Sequence, residues 1–146
     1  MTIHEVAEKD LDDWLQLALE LWPDYDAADM QAILGTIDQS PREAGFLARD
    51  ERGKAIGFMN LSLRIDYVPG ASQTPVAYLE GIYVQPDRQD QGIGRALISR
   101  AEQWAREQGC TELASDVLFD NQLGQAFHKR SGFTEVERVV FYIKQV

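Results

Sequence analysis

Val84-Gln85-Pro86-Asp87-Arg88-Gln89-Asp90-Gln91-Gly92-Ile93-Gly94-Arg95-Ala96-Leu97 leaves one regular element, turns through two glycines and opens another. Upstream, Val76 to Val84 is rich in β-branched and aromatic residues and predicts a strand, which Pro86 closes. Downstream, Leu97, Ile98, Ala101 and Trp104 recur at helical spacing. They predict a helix from about Gly94 to Gln108, with Gly109 as a fitting C-cap. Glycines let a backbone approach a ligand closely, and the free N–H groups of a helix start attract phosphate. Arg88 and Arg95 flank the turn and can offer charge-assisted bonds to a diphosphate. The stretch is no P-loop, because no Gly-Lys-Ser/Thr follows, and Leu97 stands where a dinucleotide fingerprint needs its third glycine. On its glycines alone, an ordinary strand-to-helix turn and a phosphate site stay equally open.

Working outward, Leu11, Trp14, Leu15, Ala18, Leu21 and Trp22 mark a helix after Asp10, a good N-cap, and Pro23 ends it. A second helix follows Asp26, with Met30, Ile33, Leu34 and Ile37 on one face. Phe46–Arg49 and Ile56–Leu63 predict strands joined by the turn Asp50-Glu51-Arg52-Gly53, and Asp66–Thr74 a loop. Beyond the central helix, Glu112–Leu118 predicts a strand, Gln122–Arg130 a helix and Val136–Ile143 a final strand. Alternating strands and helices in the third quarter imply parallel pairing, and the early hairpin antiparallel pairing. The expectation is a mixed sheet flanked by helices in one domain, 1–146.

Composition narrows the classes. With 146 residues, 45% hydrophobic and 10% aromatic, the chain can build a real core. No apolar run approaches the roughly 20 residues of a membrane span, and the N-terminus lacks an apolar signal core, so no membrane role is expected. A single cysteine, Cys110, forms no internal disulfide, which suits a reducing cytoplasm, and it is expected to pack as a small apolar residue. The net charge of −10 argues against a nucleic-acid partner. Residues 1–51 hold 13 acids and 3 bases, whereas residues 52–146 hold 11 of each. Such an acidic third can attract a polycation. His4 and His128 are too few and too far apart in sequence to suggest zinc, and no metal is expected.

The whole quoted string resembles motif A of the GNAT acetyltransferases, Gln/Arg-x-x-Gly-x-Gly/Ala, through Gln89, Gly92 and Gly94. A later segment, Asp120-Asn121-Gln122-Leu123-Gly124-Gln125-Ala126-Phe127-His128-Lys129-Arg130-Ser131-Gly132-Phe133, also has its counterpart in that family. The resemblance implies an α/β (α+β) GNAT fold: a mixed, mostly antiparallel sheet flanked by helices, its fourth and fifth strands splayed. It also implies acetyl-CoA as cosubstrate, held by Ile82, Tyr83 and Val84, by Gln89, Asp90, Gln91, Gly92, Ile93, Gly94 and Arg95, and by Asn121.

Five further segments are similar to the aminoglycoside 6′-N-acetyltransferases: Leu21-Trp22-Pro23, Asp66-Tyr67-Val68-Pro69-Gly70, Tyr78-Leu79-Glu80-Gly81-Ile82-Tyr83-Val84, Ala114-Ser115-Asp116 and Glu137-Arg138-Val139-Val140-Phe141-Tyr142. That resemblance places the drug on Trp22, Tyr67, Glu80, Asp116 and Glu137. Glu80 and Asp116 would orient it, one of them removing a proton from the amine. Trp22 and Tyr67 would offer flat walls to sugar rings and ammonium groups. Where many GNAT enzymes place a tyrosine acid, this chain has His128, a candidate proton donor to the leaving thiolate; Tyr142 is another. A homodimer is expected, because the apolar terminal run would be hazardous as an open edge. The rival readings are a GNAT enzyme acting on another amine, such as a polyamine or a peptide N-terminus, and a non-catalytic acidic binding module.

Overall fold

A computed structural model describes residues 1–146. The elements in chain order are β1 (Thr2–Glu5), α1 (Leu11–Leu21), α2 (Ala27–Gln39), β2 (Glu43–Arg49), β3 (Ala55–Arg64), β4 (Val76–Val84), α3 (Ile93–Glu107), β5 (Leu113–Ser115) and α4 (Gln122–Arg130). One sheet runs in the order β1-β2-β3-β4-β5. Hairpin-like connections make the first three pairs antiparallel, and the α3 crossover lets β5 lie parallel to β4. The mixed, mostly antiparallel sheet is the one expected.

Alternation along the strands sends side chains to both faces, and helices cover both. Phe46, Ala48, Met59 and Leu79 meet Leu97, Ala101 and Trp104 of α3 on one side. Leu47 and Phe58 meet Trp14, Leu17, Met30 and Leu34 of α1 and α2 on the other. The Trp14 indole N–H donates to the buried Asn60 side chain at 3.0 Å, so that polar pair is satisfied inside the core. Cys110 is buried, as expected of a small apolar side chain.

Asp26 caps α2, its carboxylate accepting from the Ala28 N–H at 2.8 Å. Asp10 occupies the N-cap position of α1 but does not cap it. Its fully buried carboxylate instead accepts from the Ala7 N–H at 2.9 Å and the Arg49 guanidinium at 2.6 Å, with the His4 ring at 3.2 Å. These partners outweigh the upward push of burial and hold its pKa below the usual aspartate value.

Two predicted strands depart from expectation. The Glu112–Leu118 strand forms only at Leu113–Ser115, because β4 runs beside it only over Ala77–Leu79. The Val136–Ile143 strand does not form: no residue beyond Phe133 pairs with the sheet. Val140, Phe141, Tyr142 and Ile143 are 75–97% exposed. Alternating β-branched residues become a strand only when a second strand supplies the ladder, and nothing in this chain does so here.

Candidate active site

The parting of β4 from β5 sets the site. Past Leu79 and Ser115 the two strands share no register, so Glu80–Val84 has no partner on that side. Opposite, Asn60 faces Gly81 while Leu61 faces Leu79, which makes Glu80 the extra residue of a β-bulge. A Cβ on Gly81 would stand 2.7 Å from the Trp22 ring, so only glycine admits that indole. Trp22 itself closes α1 and meets Phe58 edge-on at 5.8 Å. Bulge and indole together fix where the Glu80 side chain emerges.

The turn before α3 is built for backbone contact. Gly92 has φ +83 and Asp90 φ +62, both left-handed. The first α3 bond runs from the Ala96 N–H to the Gly92 carbonyl, so the amides of Ile93, Gly94 and Arg95 precede the ladder. Gly94 lies against the Phe127 ring, 2.8 Å from where a Cβ would sit, which brings α4 close to the turn. Gln89 braces the turn by donating to the Val84 carbonyl at 3.0 Å, whereas Gln91 reaches the Asp87 carbonyl only at 3.5 Å. Arg88 departs from its predicted role. Its guanidinium is paired with Asp50 at 3.0 Å, which leaves the exposed Arg95 as the cation flanking the turn.

Ile82 and Val84 pack toward the α3 core and Tyr83 toward Phe58 on the other face, so it is their backbone that borders the gap. Asn121 caps α4, accepting from the Gly124 N–H at 2.9 Å, which leaves its amide nitrogen for a ligand. The unpaired β4 edge, the free amides and this nitrogen suit an extended arm ending in a diphosphate.

Where β4 and β5 part, the Tyr78 hydroxyl donates to Asp116 across the strand pair. Burial, and then this bond, push the Tyr78 pKa above that of an ordinary phenol. Glu80 accepts from Ser62 Oγ at 2.6 Å and from Arg64 Nε and Nη2 at 2.8 and 2.6 Å. The Arg64 guanidinium also lies 3.5 Å over the Tyr78 ring. Its pKa is raised, chiefly by the bonds to Glu80. Ser62, Arg64 and Tyr78 were not read from the sequence, although Ser62/Arg64 and Tyr78/Glu80 stand two apart on their strands and so share a face.

His128 is not a free acid. Its Nδ1 lies 2.8 Å from the Gly124 carbonyl, which can only accept, so Nδ1 carries a proton. Its Nε2 lies 2.7 Å from Ser115 Oγ at the end of β5, and Phe127 and Phe133 pack on the ring. Of the remaining predicted residues, Tyr67 is 83% exposed on its loop and Glu137 is exposed in the unpaired terminal segment. Val136 packs on Gly70, which brings those two segments together, but neither residue shares a hydrogen bond or ion pair with Glu80 or Asp116. Tyr142 is 92% exposed. No group of three or more His, Cys, Asp or Glu is arranged to hold a metal.

Residues 6–133 match the Acetyltransferase (GNAT) family. The chain belongs to the GNAT acetyltransferases. It is 40% identical over its full length to an aminoglycoside N(6′)-acetyltransferase type 1 of Acinetobacter baumannii, 99% of which is covered. It is 44% identical, over 92% of each chain, to the enzyme of that name from Serratia marcescens. Among solved structures, AAC(6′)-Iy in complex with a bisubstrate analog, CoA-S-monomethyl-acetylneamine, superposes with a TM-score of 0.94. That match has 37% identity and covers 99% of this GNAT chain and 98% of the other. The parted β4 and β5, the bulge at Glu80 and the glycine turn are this GNAT domain's own version of the splay and loop anticipated above.

Proposed function

We propose that this GNAT enzyme transfers the acetyl group of acetyl-CoA directly to the 6′-amino group of aminoglycosides in a ternary complex, and so confers resistance to them. The observation that carries the reading is the pair Glu80 and Asp116, set around Tyr78 where β4 leaves β5. Such a pair seats an ammonium-rich acceptor beside the gap for the thioester. Identity of 40–44% over 92–100% of the chain to enzymes named for this reaction supports the same acceptor class.

The backbone of Ile82, Tyr83 and Val84 borders the pantetheine arm, and an amide there polarises the thioester carbonyl. The amides from Gly92 to Arg95 take the diphosphate, with Gln89, Asp90 and Gln91 shaping the turn and Asn121 reaching the arm. Glu80 orients the acceptor. Asp116 takes the ammonium proton directly or through water, since only a neutral amine has a lone pair to form the C–N bond. As the C–S bond breaks, the amide nitrogen gives its second proton to solvent and the thiolate takes one from the Ser115 hydroxyl, which His128 Nε2–H replaces when the ring is protonated. Trp22 and Tyr67 wall the sugar, and Glu137 serves a distal amine.

A homodimer belongs to this reading. The exposed run Val139–Ile143 and the free outer edge of β5 both call for a strand that a second copy can supply. The cytoplasm is the matching compartment, given acetyl-CoA as donor and one buried, unpaired thiol. No helix here is long and apolar enough to cross a membrane.

The test is thiol release from acetyl-CoA with kanamycin- and tobramycin-type acceptors, a polyamine and a 6′-hydroxyl drug analogue. Acetylation of the 6′-amino acceptors alone is the expected result, and Asp116→Asn should depress kcat/KM strongly. Equal turnover of all acceptors overturns the drug assignment. Light scattering of the whole chain and of a chain ending at Glu135 reads the dimer, which should be lost on truncation.

A further inference from the structure

A site that seats an ammonium on two carboxylates creates a chemical conflict. Nearby anions favour the charged amine, which has no lone pair to give, so better binding makes a poorer nucleophile. Arg64 bears on this conflict. It is the last residue of β3, and its partly exposed side chain reaches the bulged Glu80. Both Glu80 oxygens are engaged, Oε2 by Ser62 Oγ and Arg64 Nε and Oε1 by Arg64 Nη2. The guanidinium carbon lies 3.5 Å over the Tyr78 ring, beside the phenol that bonds Asp116. The cation is therefore paired with Glu80 alone, over the ring whose hydroxyl bonds Asp116.

The charged groups around Arg64 come from three sides. Glu80 and Tyr78 face it from β4, and Asp116 from the end of β5. On the β2 side, Arg42 and Glu43 line a polar cleft of about 290 Å³ with Ser62 and Glu80 and offset one another. The net charge near the acceptor is thus set by Glu80, Asp116 and Arg64, and it is −1 instead of −2.

We propose that Arg64 is a built-in counter-cation that keeps the acceptor cleft from over-stabilising the protonated amine, a positioning residue that holds binding strength down so that the amine stays reactive. The proposal rests on the aminoglycoside reading above. It assigns Glu80 mainly to geometry and leaves Asp116 as the carboxylate free of a cation and available to the leaving proton. It also predicts an unusual pairing of effects: removing the charge should improve apparent binding and impair turnover together.

The experiment is the pH profile of kcat and KM for a kanamycin-type acceptor at saturating acetyl-CoA and fixed ionic strength. Four chains are compared: wild type, Arg64→Gln, Arg64→Met and Arg64→Lys. In kcat the ascending limb reports loss of the amine proton in the ternary complex. With either neutral variant that limb should move to higher pH by about half a unit or more, a size set by one charge at the surface of a cleft. At pH 7, KM should fall several-fold and kcat several-fold with it. Arg64→Lys keeps the charge and should keep the wild-type limb. The double variant Arg64→Gln with Glu80→Gln restores the net charge of −1, and its limb should return toward wild type whatever its rate. A limb that stays in place in the neutral variants, or a KM that rises with it, overturns the proposal and makes Arg64 a mere brace for Glu80. Wild-type chain that acetylates no aminoglycoside is a different failure: it removes the functional reading, and this inference falls with it.

Discussion

Tyr78 on β4 and Asp116 beyond β5 are joined by a hydrogen bond from phenol to carboxylate, at the point where the two strands begin to part. The ring of Tyr78 is 5% exposed and anchored in the core beneath, so the bond fixes the carboxylate from below. Removing the hydroxyl should free Asp116 without opening a cavity. Tyr78→Phe is expected to lower kcat/KM about tenfold, the effect of one hydrogen bond to a charged group, with little change in melting temperature. Because the Tyr78 pKa is raised, the phenol keeps its proton, and the wild-type rate profile should show no limb from it up to about pH 10. Steady-state kinetics from pH 6 to 10 read both outcomes.

Gly81→Ala should be costly out of proportion to one methyl group. Its Cβ would meet the Trp22 ring at 2.7 Å, so the indole or the bulge must move. Destabilisation of about 1–3 kcal/mol is expected from overpacking, with a rise in acceptor KM as Glu80 shifts. Adding Trp22→Leu should recover stability but not KM. Chemical denaturation and kinetics on the single and double variants separate the two effects.

Ser115 and His128 should behave as one unit. Each single alanine variant is expected to lower kcat about tenfold, and the double variant no further, because either loss breaks the same chain. Effects that simply multiply would assign the two residues to separate tasks. A His128→Ala variant with full kcat from pH 6 to 9 would leave no acid role for the ring.

Asp10→Asn tests stability rather than chemistry. The folded pKa of Asp10 lies below the unfolded value near 3.8, so its stabilisation is fully present above that pH. It is lost as the pH falls through the folded value. At pH 7 the variant should therefore be less stable by about 3 kcal/mol, since Arg49 loses a buried partner. The gap between variant and wild type should shrink steadily below about pH 4. Urea unfolding at pH 7, 5 and 3 checks the sign.

Much of the fold was legible because its signals are local. The spacing of Leu97, Ile98, Ala101 and Trp104, the stop at Pro86 and the helix start after Asp26 each act within one element. The glycine turn was readable for the same reason: Gly92 and Gly94 are adjacent to the amides they expose. What escaped the sequence depends on partners distant in the chain. Asp10 looks like a cap until Arg49 and His4 fold against it. Arg88 looks like a phosphate ligand until the β2–β3 turn brings Asp50 to it. Arg64 meets Glu80 only through the β3–β4 register and the bulge there. The terminal run Val139–Ile143 has strand chemistry throughout, but a strand is a property of two segments, and its complement is not in this chain's own sheet.

The Arg88–Asp50 clasp carries a thermodynamic corollary. It ties the glycine turn proposed for the coenzyme to a hairpin that is itself closed by hydrogen bonds from Arg52 and Lys54 to Asp50. A turn anchored in this way has little disorder left to surrender when the nucleotide arrives, so the entropy of capture falls mainly on the incoming molecule. Calorimetry of coenzyme binding should then reveal a small ordering penalty, and cutting the clasp with Asp50→Ala should enlarge it.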